Sequence, residues 1–192
     1  MVEIVNDNDK VEAYLKTVED YVISPIRGEV GKHCVASLLL IFAAIDGIAR
    51  LVDSDPSKVG DRFKRIIGTL GSAYEAKSSE LYELRNCIVH NALNTATFIS
   101  QAALGAEHHL KDVGGPGELY VNTRVFCEDL AAALTRLRER FAADSAFLAE
   151  AASRLEVYES DYINELDFPT TKPISSYFRK FVKTRDSTVK CE

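Results

Sequence analysis

The 192-residue chain has no long hydrophobic run, no closely spaced cysteines and no excess of positive charge. Each absence closes off a class of protein. The longest apolar run, "CVASLLLIFAAI" at 34–45, lies between Lys32 and Asp46. It falls short of the roughly 20 residues that span a bilayer. The opening "MVEIVNDNDK" has no basic segment followed by an apolar one, so no signal peptide, no membrane partner and a cytoplasmic location are expected. Cys34, Cys87, Cys127 and Cys191 lie far apart without a CxxC pair, which argues against a zinc site, a thioredoxin-type redox site or a disulfide framework. The first three are expected to be buried reduced thiols. A formal net charge of −6 denies the chain the global field that draws proteins onto nucleic acid. Any nucleic-acid contact must be local, through a small basic site. That argues against a generic DNA-coating protein and leaves open an enzyme acting on RNA.

What is present is an ordinary soluble composition, 46% hydrophobic and 27% charged, at a length that suits one domain with a proper core. Val11, Tyr14, Leu15, Val18, Tyr21 and Val22 recur at helical spacing and predict a first helix over about 7–23, ended by Pro25 and Gly28. A second helix, 31–52, is apolar nearly all round at its centre, the mark of the most buried element. "SDP" at 54–56 reads as a cap with proline at the first helical position. The third helix then carries Val59, Phe63, Ile66, Ile67 and Leu70 up to Gly71. Ser78 or Ser79 caps a fourth. Residues 94–105 fit strand, loop or frayed helix alike. "EHHLKDVGGPGELYVNT" reads as a β-hairpin, a small insertion at about 106–123 with Gly-Gly-Pro-Gly as its turn. Asn122 or Thr123 caps a long helix bearing Phe126, Leu130, Leu134, Leu137 and Phe141, and another follows over about 144–166. "FPTTKP" at 168–173 breaks the chain before a short amphipathic tail. The expected organisation is a mostly α, up-and-down helical domain over 1–168, then a linker and tail over 169–192.

Within the fourth helix, "LYELRNCIVHNAL" at 81–93 holds a charge in an unexpected place. With Leu81 at zero and about 100° per residue, Leu84 and Ile88 share its face, and Arg85 falls near 40°, inside the apolar arc. A buried guanidinium costs several kcal/mol unless paired. The nominated partner is Asp46, the only carboxylate within the apolar stretch of the second helix, although Asp46 and Arg50 also stand at i, i+4. Asn86 and His90 are i, i+4 neighbours that can face one ligand together. Arg85 can bend its long arm round to join them. His90 lies near the helix C-terminus, where the dipole favours its protonated form.

Those three side chains suit phosphodiester chemistry. Imidazole moves protons near neutral pH, guanidinium binds phosphate and stabilises growing charge, and carboxamide orients either one. No metal is required. The competing reading makes His90 a solvated or capping residue at a helix end. His108-His109 on a strand would point to opposite faces and chelate poorly, so an exposed hairpin arm is expected there. "RLRERF" at 136–141, with acids nearby, is expected to be a solvated face rather than an RNA track. Phe178, Lys180 and Phe181 in the tail suit docking on a partner, on a second protomer or on the chain's own bundle.

"LRNCIVHNAL" resembles the signature of HEPN domains, all-α bundles marked by Arg, four to six intervening residues and His, often with a polar residue directly after the Arg. "LLLIFAAIDGIARLV" on the preceding helix also looks like these proteins, which often carry a polar or acidic residue there. The resemblance covers about 7–94 well and the two late helices loosely; the hairpin is an addition to a minimal bundle. It implies a metal-independent endoribonuclease without cofactor, acting as a homodimer on an RNA substrate in a cleft between protomers. His90 would be general base or acid for attack by the ribose 2′-hydroxyl. Arg85 would hold the phosphate, Asn86 would position the pair, and Asp46 would orient Arg85 or His90. Products would be a 2′,3′-cyclic phosphate and a 5′-hydroxyl. The resemblance further implies a toxin or defence effector with an antitoxin or inhibitor protein as partner. Some HEPN domains are instead noncatalytic nucleotide-binding or protein-interaction modules, and a plain helical scaffold with a recruiting tail is a third reading.

Overall fold

The computed structural model describes residues 6–53, 55, 58–91, 98–101, 105–112 and 118–165, with backbone only for His90, Asn91, Phe98 and 156–165. Of these residues 82% are helical, so the mostly α class stands. Contacts divide the chain into two compact units, 1–155 and 156–192. The packing described below is that of the first; the second holds the end of the last helix, from Glu156. The Ser54-Pro56 cap, most of the 94–105 stretch, the Gly-Gly-Pro-Gly turn, Cys191 and the 169–192 tail lie outside the described residues.

Helix α1 (Asp7–Val18) starts on Asn6, whose side chain accepts from the Asp9 amide at 2.9 Å. It does not stop where Pro25 predicts. A π-helical turn, Glu19–Ile23, runs into α2 (Ser24–Arg27), which carries Pro25 in its first turn and ends at Gly28. In a straight α-helix the proline ring would collide with the carbonyl four residues back; one wider turn before it gives the ring room. A short 3₁₀ turn, Glu29–Lys32, leads to α3 (Cys34–Val52).

Helix α3 is the hub. Leu38, Ile41, Phe42, Ile45, Ile48 and Leu51 are buried, and it packs against α4 (Val59–Gly68), α6 (Ser78–Asn91) and α7 (Thr123–Ala143). By length and composition α3 could cross a membrane, with half of its apolar window buried in the bundle. A five-residue helix not foreseen from the sequence, α5 (Ser72–Ala76), precedes α6 and buries Tyr74. Helix α8 (Ser145–Glu165) is capped by Asp144, which accepts from the Phe147 amide at 2.9 Å.

An aromatic chain crosses the core. Tyr82 meets Phe63 at 5.6 Å, Phe63 meets Phe42 at 5.7 Å, Phe42 meets Phe126 at 6.0 Å, and Phe126 meets Tyr74 at 5.0 Å between centroids. It joins α6, α4, α3, α7 and α5 in that order, each tilted or edge-on pair adding about 0.5–1.5 kcal/mol beyond burial. Tyr82 seats so closely on Gly60 of α4 that a Cβ there would lie 2.7 Å from its ring. That contact sets where α6 rests on the bundle.

The β insertion differs from the expected hairpin. Strand β1 (Phe98–Ser100) pairs in parallel with β2 (Tyr120–Asn122), Ile99 opposite Val121. Among the described residues the antiparallel pairing is a bridge of Asp112 with Leu119, flanked by Leu110 N–H to the Tyr120 carbonyl at 2.8 Å and Tyr120 N–H to the Lys111 carbonyl at 2.9 Å. The first arm folds instead into a 3₁₀ turn, Ala106–His108. Leu110 then takes a left-handed φ of 60°, which costs about 1–2 kcal/mol for an L-residue, and its side chain is buried.

Candidate functional site

Helix α6 buries Leu81, Leu84 and Ile88, which turns the neighbouring face carrying Arg85 toward α3. Arg85 Nη2 donates to Asp46 Oδ2 at 2.7 Å and Nε donates to the same oxygen at 3.2 Å. Nη1 donates to Asn86 Oδ1 at 2.9 Å. The Arg85 and Asp46 side chains are 19% and 22% exposed, so the pair sits at the rim of the core with one edge in solvent. Asp46 is therefore a partner of Arg85. His90 follows Asn86 by four residues on the last turn of α6; its side chain lies outside the described set. Arg85, Asn86 and Asp46 are thus brought together, and His90 is placed at the level of the backbone alone.

A guanidinium carries five N–H donors. Three face Asp46 and Asn86, and the other two have no acceptor among the described residues. Asp46 fixes the plane of the group, and the part-buried setting strengthens any charge-assisted bond that Arg85 makes.

His108 and His109 do not form an exposed arm. His108 is exposed beside Glu107 at 3.4 Å, whereas His109 turns inward after the 3₁₀ turn. Its Nδ1 accepts from the Asn122 amide at 2.9 Å, so the proton must sit on Nε2. Nε2 lies 2.8 Å from the Tyr74 hydroxyl, which donates in turn to Asp129 Oδ2 at 2.7 Å. The result is a directed chain, amide to imidazole to phenol to carboxylate. Burial pushes the His109 pKa down to about 4 against a pull upward from Asp129. Burial and then the Asp129 bond hold the Tyr74 hydroxyl protonated. The chain locks the insertion to α5 and α7. Sequence reasoning missed it, because Tyr74 sits on a helix too short to show periodicity.

The remaining expectations sort similarly. Cys127 is buried, but Cys34 and Cys87 are only part-buried. Burial, with Glu128 adding, lifts the Cys127 thiol to about 11, so it is neutral near pH 7. The "RLRERF" arginines are more than a solvated face. Arg138 bonds Glu19 at 2.6 Å and Glu12 at 3.0 Å, tying α7 to α1 and the π turn, and Arg140 lies 3.7 Å above the Phe147 ring.

A cavity of about 590 Å³ lies away from Arg85, between the α2 region and the start of α7. Among the described residues, no group of His, Cys, Asp and Glu is arranged to hold a metal ion. No protein-family model, curated protein or solved structure matches the chain.

Proposed function

We propose that the chain is a HEPN-type, metal-independent endoribonuclease with a mostly α, up-and-down bundle. Arg85, Asn86 and His90 would form its site, and Asp46 would support it. The observation that carries the reading is the geometry of Arg85: a part-buried guanidinium, fixed by Asp46 and Asn86, with two donors that have no acceptor among the described residues, five residues before a histidine on the same helix. In this reading His90 withdraws the 2′-hydroxyl proton, the oxygen attacks the adjacent phosphorus, and the P–O5′ bond breaks as the leaving oxygen takes a proton. Arg85 would stabilise the charge that grows on the nonbridging oxygens. A 2′,3′-cyclic phosphate and a 5′-hydroxyl result. Two protomers would line the cleft, and an antitoxin or inhibitor protein would silence it.

A second reading has its own support. Every guanidinium nitrogen of Arg85 already has an intramolecular acceptor, and a cavity of about 590 Å³ lies elsewhere, as suits a noncatalytic nucleotide-binding or interaction module. Incubation with structured and unstructured RNA in EDTA separates the two. The first reading predicts cleavage that is lost in His90→Ala, with cyclic phosphate at the new 3′ ends. Cleavage that survives His90→Ala sinks it. An inert wild type that binds nucleotide through Arg85 supports the second.

A further inference from the structure

We infer that the cleft between the α2 region and the start of α7 binds a small phosphate monoester, at a site separate from Arg85. At about 590 Å³ it has the size of a small-molecule pocket, large enough for a mononucleotide. Its walls include Arg27, Lys32, Gln101, Thr123, Arg124 and Glu128. Three cations thus meet two carboxylates, Glu128 on the wall and Glu29 beside Lys32, and the surplus positive charge is a local reversal of sign in a chain of net charge −6. Such a reversal in a concave setting concentrates anions.

The cations divide the work. Arg27 Nε donates to Glu128 Oε1 at 2.9 Å and Nη2 donates to Oε2, a two-pronged pair that fixes one wall and occupies the carboxylate. Arg124 has no acceptor for its guanidinium among the described residues and can turn its planar donor set to a phosphate. Among the described residues Lys32 is held by Glu29 alone, at 2.6 Å, an exposed i, i+3 pair that a dianion can displace. Gln101 lines the same space with a carboxamide that can bond a sugar or phosphate oxygen, whereas the buried Thr123 hydroxyl already donates to the Ser100 carbonyl at 3.3 Å. The Arg124 and Val125 amides are already capped by Asn122 at 3.1 and 3.2 Å, so the receptor is made of side chains rather than of the helix end. Cys127 lines the cleft as a neutral thiol and takes no covalent part.

The test is calorimetric titration of the full chain at low salt with AMP, GMP, inorganic phosphate and a short RNA oligonucleotide. The variants are Arg124→Glu, Lys32→Glu and Arg85→Ala, with circular dichroism to establish folding. Both reversals lie on exposed side chains, and a glutamate in the first turn of α7 suits the helix. The expected result is saturable binding of a nucleoside monophosphate, weakened about tenfold or more by each charge reversal and unchanged in Arg85→Ala. Inorganic phosphate is expected to compete at higher concentration. Binding that survives both reversals, or that is lost in Arg85→Ala, overturns the assignment. So does binding of the oligonucleotide alone that the two reversals abolish and Arg85→Ala leaves intact, which gives the cleft to an RNA strand, and so does no binding by the folded wild type.

Discussion

At the scale of single residues, charge and proton placement decide most of what matters. Asp46 supplies one oxygen to two nitrogens of Arg85 at the rim of the core. Its removal leaves a part-buried cation unpaired, so Asp46→Ala is expected to lower stability by about 1–3 kcal/mol, read as a fall in melting temperature. Asp46→Asn, which keeps an oxygen acceptor, is expected to lose less. His109 makes a sharper prediction. Its folded pKa is about 4 against an ordinary 6.5, so the unfolded chain binds the proton more readily. The stability due to this group is complete above pH 6.5, declines as pH falls toward 4 and is then fully lost, a change of about 3 kcal/mol. Denaturant melts of wild type and His109→Gln between pH 7 and 4 measure it, and the variant is expected to show a shallower slope. A slope equal to that of wild type contradicts the directed chain through Tyr74.

At the scale of elements, small residues and caps position the site helix. Gly60→Ala places a methyl against the Tyr82 ring, which cannot retreat without disturbing its contact with Phe63. Such overpacking costs about 1–3 kcal/mol, and the added strain is expected to shift α6 and the Arg85 resonances in an NMR spectrum. Asn122 is both the cap of α7 and the amide donor to His109, so Asn122→Ala removes the cap while the backbone bond to His109 remains. About 1 kcal/mol is the expected loss. Much of this level was readable in the sequence. The periodic apolar residues located α3, α6 and α7, the wheel placed Arg85 beside the core, and Asn122 announced its helix. What was not readable depended on partners distant in the chain. The π turn before Pro25, the parallel pairing of Ile99 with Val121 and the inward turn of His109 all arise from tertiary packing, which local pattern does not encode.

At the scale of the whole molecule, an acidic chain must confine its anion chemistry to places where cations gather. The Arg85 rim and the cleft holding Arg27, Lys32 and Arg124 are such places. The proposed ribonuclease further requires a dimer, and light scattering of the full chain is expected to return twice the chain mass. The central claim is that Arg85, fixed by Asp46, acts on RNA phosphate rather than merely bracing α6. The most direct measurement is the rate of RNA cleavage in EDTA by Arg85→Ala relative to wild type, at a temperature where both are folded. The account predicts a fall of roughly 100-fold or more, in the range seen when a transition-state donor is removed. A folded Arg85→Ala that cleaves RNA at the wild-type rate contradicts it.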